Sequence, residues 1–151
     1  MSKKFLVAVD GSDHGWKALD LATNLAKVSD AEVVILHVIP YIPMPEAFQQ
    51  FAEIEGIAAA DRTFRYHYNT KIGDTITSEA EARARKSGLS RITTQVAEGN
   101  PVDEIIALAK STRADMLFLG SRGVSDLKGM MMGSISHKVM HLAPCTCVAV
   151  R

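Results

Sequence analysis

Asp115-Met-Leu-Phe-Leu119 runs directly into Gly120-Ser-Arg-Gly123, and after nine further residues comes Gly133-Ser134. The apolar run has the length and composition of a strand buried on both faces. It ends in glycine, which takes φ > 0 freely and lets backbone N–H groups approach a ligand without a Cβ in the way. Ser134 reads as the N-cap of a helix running to about Ala143, where Pro144 stops it. The unpaired N–H groups of that helix's first turn, and its dipole, favour an anion. Loop glycines, a helix start, a serine hydroxyl and the Arg122 cation thus converge in a pattern suited to phosphate oxygens.

Outward from this segment, strand-like apolar runs recur at residues 4–10, 31–39, 91–97, 115–119 and 145–150, with helical patterns between them. Such alternation implies a parallel sheet joined by crossover helices. The first helix is expected from Ser12 or Asp13 to Val28, with Ala18, Leu19, Ala22, Leu25 and Ala26 as its apolar stripe. In the third, Asn100 caps, Pro101 suits the first position, Asp103 favours the positive end, and Val102, Ile105, Ile106 and Ala109 face inward. Between strands two and three, Pro40, Pro43 and Pro45 force an extended connection. A long helix is then expected from about Ile57 to Ser87, with Phe64, Tyr68, Ile72, Ile76 and Ala80 near one face, although Gly56 and Gly73 count against its continuity. With no repeat or linker, residues 1–151 are expected to form one domain.

The G-x-x-G spacing, nine residues and then Gly-Ser resembles the ATP-binding signature of the universal stress protein family. The resemblance covers nearly the whole chain. Phe5-Leu-Val-Ala-Val-Asp10-Gly-Ser12, Leu36-His-Val-Ile39, Ala114-Asp-Met-Leu-Phe-Leu119 and Ala143-Pro-Cys-Thr-Cys-Val-Ala-Val150 are similar to that family's landmarks, in order. It implies an α/β fold: an open, doubly wound, five-stranded parallel sheet of order 3-2-1-4-5 with helices on both faces, Rossmann-like and similar to the adenine nucleotide alpha hydrolases. Periodicity alone does not fix that order. Ligands in such sheets bind outside the carboxyl ends of the strands where the order reverses, here between strands one and four. By the resemblance, the backbone of Ala8 and Val9 and the region of Val38 border adenine and ribose, and Leu119 packs nearby. Gly120, Gly123 and Gly133 then line the phosphates, while Ser134 and Ile135 donate N–H groups.

Asp10 has two readings. It either presents its carboxylate to a ribose hydroxyl or to a phosphate-bound Mg²⁺, or it helps to cap the first helix from the strand end. The glycine motif favours the ligand role. Gly129 lies outside the signature, and Met130-Met-Met132 reads as an apolar lid or core patch. His137 and His141 are four apart but lack a neighbouring carboxylate, so they read as solvated helix residues. His37 reads as structural, and His14 approaches a ligand from the start of the first helix.

Seventeen basic and seventeen acidic residues give no net charge, so nothing draws the chain toward nucleic acid or an anionic membrane, and phosphate binding must be local. The run from Phe5 to Val9 is too short for a signal peptide or membrane span, and a cytoplasmic setting is expected. Cys145 and Cys147, two apart on a strand, share a face at a distance that suits neither a relaxed disulfide nor a metal site without further ligands. No GxxxxGK[ST] and no GxGxxG follows strand one, which argues against a P-loop NTPase and a dinucleotide dehydrogenase. The leading expectation is an ATP-binding sensor or regulator, with AMP or ADP as other forms of the ligand. Alternatives are a slow ATP hydrolase or phosphotransferase, and an interaction module with incidental nucleotide binding. The resemblance also implies a homodimer through strand 145–150.

Overall fold

Side chains of a strand alternate between its faces, and the central strand β1 (Lys4–Ala8) divides its apolar residues accordingly. Phe5 and Val7 enter one core cluster and Leu6 enters the other. The structure, a computed structural model, describes residues 2–40, 58–124, 129 and 131–151, with the backbone alone over 58–69. β1 pairs in parallel with β2 (Glu32–Pro40) on one side and with β4 (Met116–Gly120) on the other. β3 (Ile92–Gly99) extends the sheet beyond β2, and β5 (Thr146–Val150) extends it beyond β4. The order is therefore 3-2-1-4-5, all parallel, as the sequence and the resemblance together led us to expect. The β1–β4 seam is locked at its start by Lys4 and Asp115. The Lys4 N–H donates to the Asp115 carboxylate at 2.7 Å and the Asp115 N–H to the Lys4 carbonyl at 2.8 Å.

One face carries α1 (Asp13–Ser29) and α2 (Ala58–Lys86), the other α3 (Pro101–Thr112) and α4 (Ser134–Leu142). Ser12 caps α1 by accepting from the Gly15 N–H at 3.2 Å, and Asp30 in the left-handed conformation ends it. Ala18, Leu19, Ala22 and Ala26 are buried, but Leu25, expected in the stripe, is 37% exposed. A helix of 3.6 residues per turn carries position 25 to the margin of a stripe that 18, 22 and 26 define. In α3 the Asn100 side chain accepts from the Asp103 N–H, Pro101 opens the helix, and Val102, Ile105, Ile106 and Ala109 are all buried.

α2 runs unbroken through Gly73, contrary to the doubt its glycine raised. That glycine is a packing device: a Cβ there would stand 3.1 Å from Val96 and 3.3 Å from His37 on the sheet. The inward face is therefore set by Gly73, Thr77, Ala80 and Ala84, which leaves Ile72 39% exposed instead of buried as expected. Phe64, Tyr68, Gly56, the expected helix start at Ile57 and the connection through Pro43 and Pro45 lie outside the described residues or side chains. Among the described residues no helix is long and apolar enough to cross a membrane.

Candidate functional site

Where the sheet reverses, the chain leaves β1 and β4 in loops that part to opposite faces, and a cavity of about 410 Å³ opens at their carboxyl ends. Its walls are apolar: Ala8, Leu36, Val38 and Leu119 from the strands, Val9 just past β1, Pro101 and Ile105 from α3, and Ile135 from α4. Its polar groups are those of Asp10, Gly120, Arg122, Gly123, Val124 and Ser136, with His37 beside the strand wall. Of the residues singled out from the sequence, Ala8, Val9, Asp10, Val38, Leu119, Gly120, Arg122, Gly123 and Ile135 line this space, while Gly133 and Ser134 do not.

β1 ends at Ala8, two residues earlier than the apolar run suggested, because the chain turns at Gly11 with φ +85°. Asp10 thus sits in the turn, with its carboxylate held by protein donors. Oδ1 accepts from the Ser12 N–H at 3.0 Å and the Ser12 hydroxyl at 2.5 Å, and Oδ2 accepts from the Val124 N–H at 3.2 Å. The capping role is built, and the same carboxylate faces the cavity.

Gly120 lies within β4, one residue later than expected. Its lack of a side chain is what lets α1 begin where it does. A Cβ on Gly120 would meet the Gly15 nitrogen at 2.8 Å and the His14 carbonyl carbon at 2.9 Å.

At the other end of the loop, Gly133 and not Ser134 is the N-cap of α4. The Gly133 N–H donates to the Ser121 carbonyl at 2.6 Å and its carbonyl accepts from His137, which fixes the helix start one residue early. Ser134 becomes the first helical residue, and among the described residues no side chain caps the helix. Its first N–H groups, those of Ser134, Ile135 and Ser136, have no acceptor within the helix. The serine that ties this turn is Ser136, whose hydroxyl lies 2.7 Å from the Ser121 carbonyl and 3.0 Å from that of Gly133.

Residues 1–151 match the sequence pattern of the universal stress protein family. The chain belongs to that family. It is 39% identical to the universal stress protein YxiE of Bacillus subtilis over the full length of both chains. It is similar, with a TM-score of 0.69 and 26% identity over 99% of this chain and 97% of the other, to a universal stress protein solved in complex with cAMP. The Archaeoglobus fulgidus universal stress protein solved with dAMP shares the fold at a TM-score of 0.69 and 17% identity, over 100% of this chain and 98% of the other.

Beyond what sequence reasoning named, this universal stress protein contributes Leu36, His37, Pro40, Pro101, Ile105, Val124 and Ser136 to the cavity. The start of α3 was recognisable as a helix cap, and the strand order places that cap beside the same sheet edge. His37 is buried with Nδ1 2.8 Å from the Val9 carbonyl, the structural role expected of it. His14 does not line the cavity; its ring lies between Ser121 and Arg122. His137 and His141 are exposed, and no group of three or more His, Cys, Asp and Glu is placed to hold a metal among the described residues. Cys145 and Cys147 are free and pack against the α3–α4 face. Burial, reinforced by Cys145 beside it, pushes the Cys147 thiol up to about 11 against the lowering effect of a backbone hydrogen bond at Val148. Met131 is 77% exposed, so that part of the methionine run is no core patch, while Met130 lies outside the described residues.

Proposed function

We propose that this universal stress protein binds an adenine nucleotide in the cavity between β1 and β4, with ATP as the leading ligand, and serves as a nucleotide-dependent sensor or regulator. The observation that carries the reading is the division of the cavity. Its walls of Val9, Leu36, Val38, Leu119 and Ile105 suit a planar base, and its polar lining includes Arg122, Gly123 and, from the first turn of α4, Ser136. With no net charge on the chain, this local cluster is what attracts an anion. The related structure holding cAMP lends support.

A carboxylate offers about four lone-pair sites. Among the described residues three donors occupy Asp10, so Oδ2 keeps room for one contact, either a ribose hydroxyl or a Mg²⁺ that arrives with the phosphates. Mg²⁺ so placed would screen the phosphate charge. For a hydrolase or phosphotransferase reading, Asp10 is the carboxylate at hand, and ATP turnover unchanged in Asp10→Ala removes it from that role. Two unbridged cysteines suit a reducing compartment, and we place the protein in the cytoplasm as one domain. β5 pairs with β4 on one side, leaving the other edge as the surface we assign to a homodimer. A monomer by light scattering at micromolar concentration, with and without nucleotide, overturns that assignment.

The test of the ligand is mass spectrometry of small molecules released on denaturing protein purified without added nucleotide, followed by ATP titration of the stripped protein with Mg²⁺. Recovered ATP or saturable ATP binding is expected. A folded, stripped protein that binds no adenine nucleotide overturns the reading and leaves the interaction module.

A further inference from the structure

Arg122 faces the cavity, and the ring of His14 stands behind it. Arg122 Nη2 lies 3.4 Å from His14 Nε2, and His14 Nδ1 lies 3.1 Å from the Ser121 hydroxyl. A guanidinium has donors only, so this contact is a hydrogen bond only with Nε2 as a bare acceptor nitrogen. Nδ1 then carries the hydrogen and donates to Ser121 Oγ.

The mount for this ring is rigid. The Ser121 N–H donates to the Val150 carbonyl of β5 at 2.7 Å, and its carbonyl accepts from Gly133 and from Ser136 of α4. Ser121 is buried, and the His14 Cβ lies so close to Gly120 that a side chain there would meet it at 2.9 Å. Ring and serine therefore form a fixed post joining α1, β5 and α4, while the guanidinium rests against it at the cavity wall.

We propose that His14, as the neutral Nδ1–H tautomer, is a positioning residue that sets where Arg122 presents its remaining N–H donors to the phosphate end of the ligand. The proposal rests on the nucleotide reading of the cavity and deepens it. His14 acts on the anionic end of the nucleotide and not on its base, because the apolar walls that would hold the base are elsewhere. Arg122 alone on a flexible side chain must lose rotamer freedom when it meets a phosphate, and a post that holds it beforehand removes part of that cost.

The experiment compares ATP with adenosine in titrations of wild type, His14→Ala, His14→Gln, Arg122→Gln and the His14→Ala/Arg122→Gln pair. Hydrogen bonds to charged groups are worth enough that His14→Ala should weaken ATP by about tenfold and leave adenosine within about twofold. Glutamine offers one acceptor and one donor group, so His14→Gln should recover ATP affinity to within about threefold of wild type. In the Arg122→Gln background, His14→Ala should change ATP affinity by less than about twofold. Nitrogen-15 NMR of the ligand-free protein supplies a separate readout. The His14 ring should be the Nδ1–H tautomer in wild type and lose that preference in Arg122→Gln.

If wild type binds no adenine nucleotide, the reading of the cavity falls and the proposal with it. If wild type binds ATP, the proposal alone falls on any of three results: an Nε2–H ring in wild type, equal losses of adenosine and ATP in His14→Ala, or an undiminished His14→Ala effect without Arg122.

Discussion

The turn after β1 and the loop after β4 leave neighbouring strands, yet they are secured in opposite ways. The turn, residues 9–12, is short and bonds largely to itself and to the helix it opens: Ser12 to Asp10, Gly15 to Ser12, and Val9 to Leu36 of the next strand. The loop from Ser121 to Gly133 is fastened where it starts and where it stops, by Ser121 to Val150 and Gly133 to Ser121. Between those points Val124 leans on Asp10 through its N–H while its side chain is 72% exposed, and Met131 is 77% exposed. Stability should therefore reside in the turn and in the ends of the loop, and ligand recognition at Arg122 and Gly123, just past the loop's first anchor.

The largest effect expected from this contrast is at Gly120, where the end of β4 meets the start of α1. Gly120→Ala drives a Cβ into the Gly15 and His14 backbone and should lower unfolding free energy by about 3 kcal/mol in a urea titration. A loss under about 0.5 kcal/mol would show that α1 can step back and that the two segments are not tightly joined. Next comes Gly123→Asp, which places a carboxylate at the anion-facing part of the loop. We expect ATP affinity to fall by about a hundredfold with the far-UV circular dichroism unchanged; normal affinity would move the phosphates elsewhere. Ser12→Ala removes the cap of α1 and one donor to Asp10, and should cost about 1 kcal/mol in the same urea assay. The smallest effect is at Met131→Gln, within about 0.5 kcal/mol of wild type, and a larger loss would mean that Met131 contributes to the core after all.

The same contrast explains what could be read from the sequence. The sheet was legible because β1, β2 and β4 are short apolar runs such as Phe5-Leu-Val-Ala8, the pattern of strands covered on both faces, and helical patterns alternate with them. The order needed the family resemblance, since periodicity is blind to which strands adjoin. Asp10, Arg122 and Gly123 were legible as partners because strand ends at a reversal must converge. The cap of α4 was misplaced by one residue because Gly133 and Ser134 are both acceptable caps, and the choice was made by a bond from Gly133 to Ser121, twelve positions away. Leu25 and Ile72 were assigned inward on spacing alone, whereas small residues at 22, 26, 73 and 80 let the helices come close along a narrower line. The pairing of His14 with Ser121 spans 107 positions and no local pattern announces it.

Lys4 and Asp115, which clasp each other across the β1–β4 seam, stand 111 positions apart. During synthesis β1 emerges first and finds β2 soon after, but its other flank must wait until most of the chain has been made. Contacts so remote in sequence make folding slow and leave an apolar central strand with an open edge in every unfinished chain. Such an edge is a template for the wrong partner until β4 pairs with it. The cavity, walled by both flanks of that strand, cannot close until β4 and the start of α4 have been made.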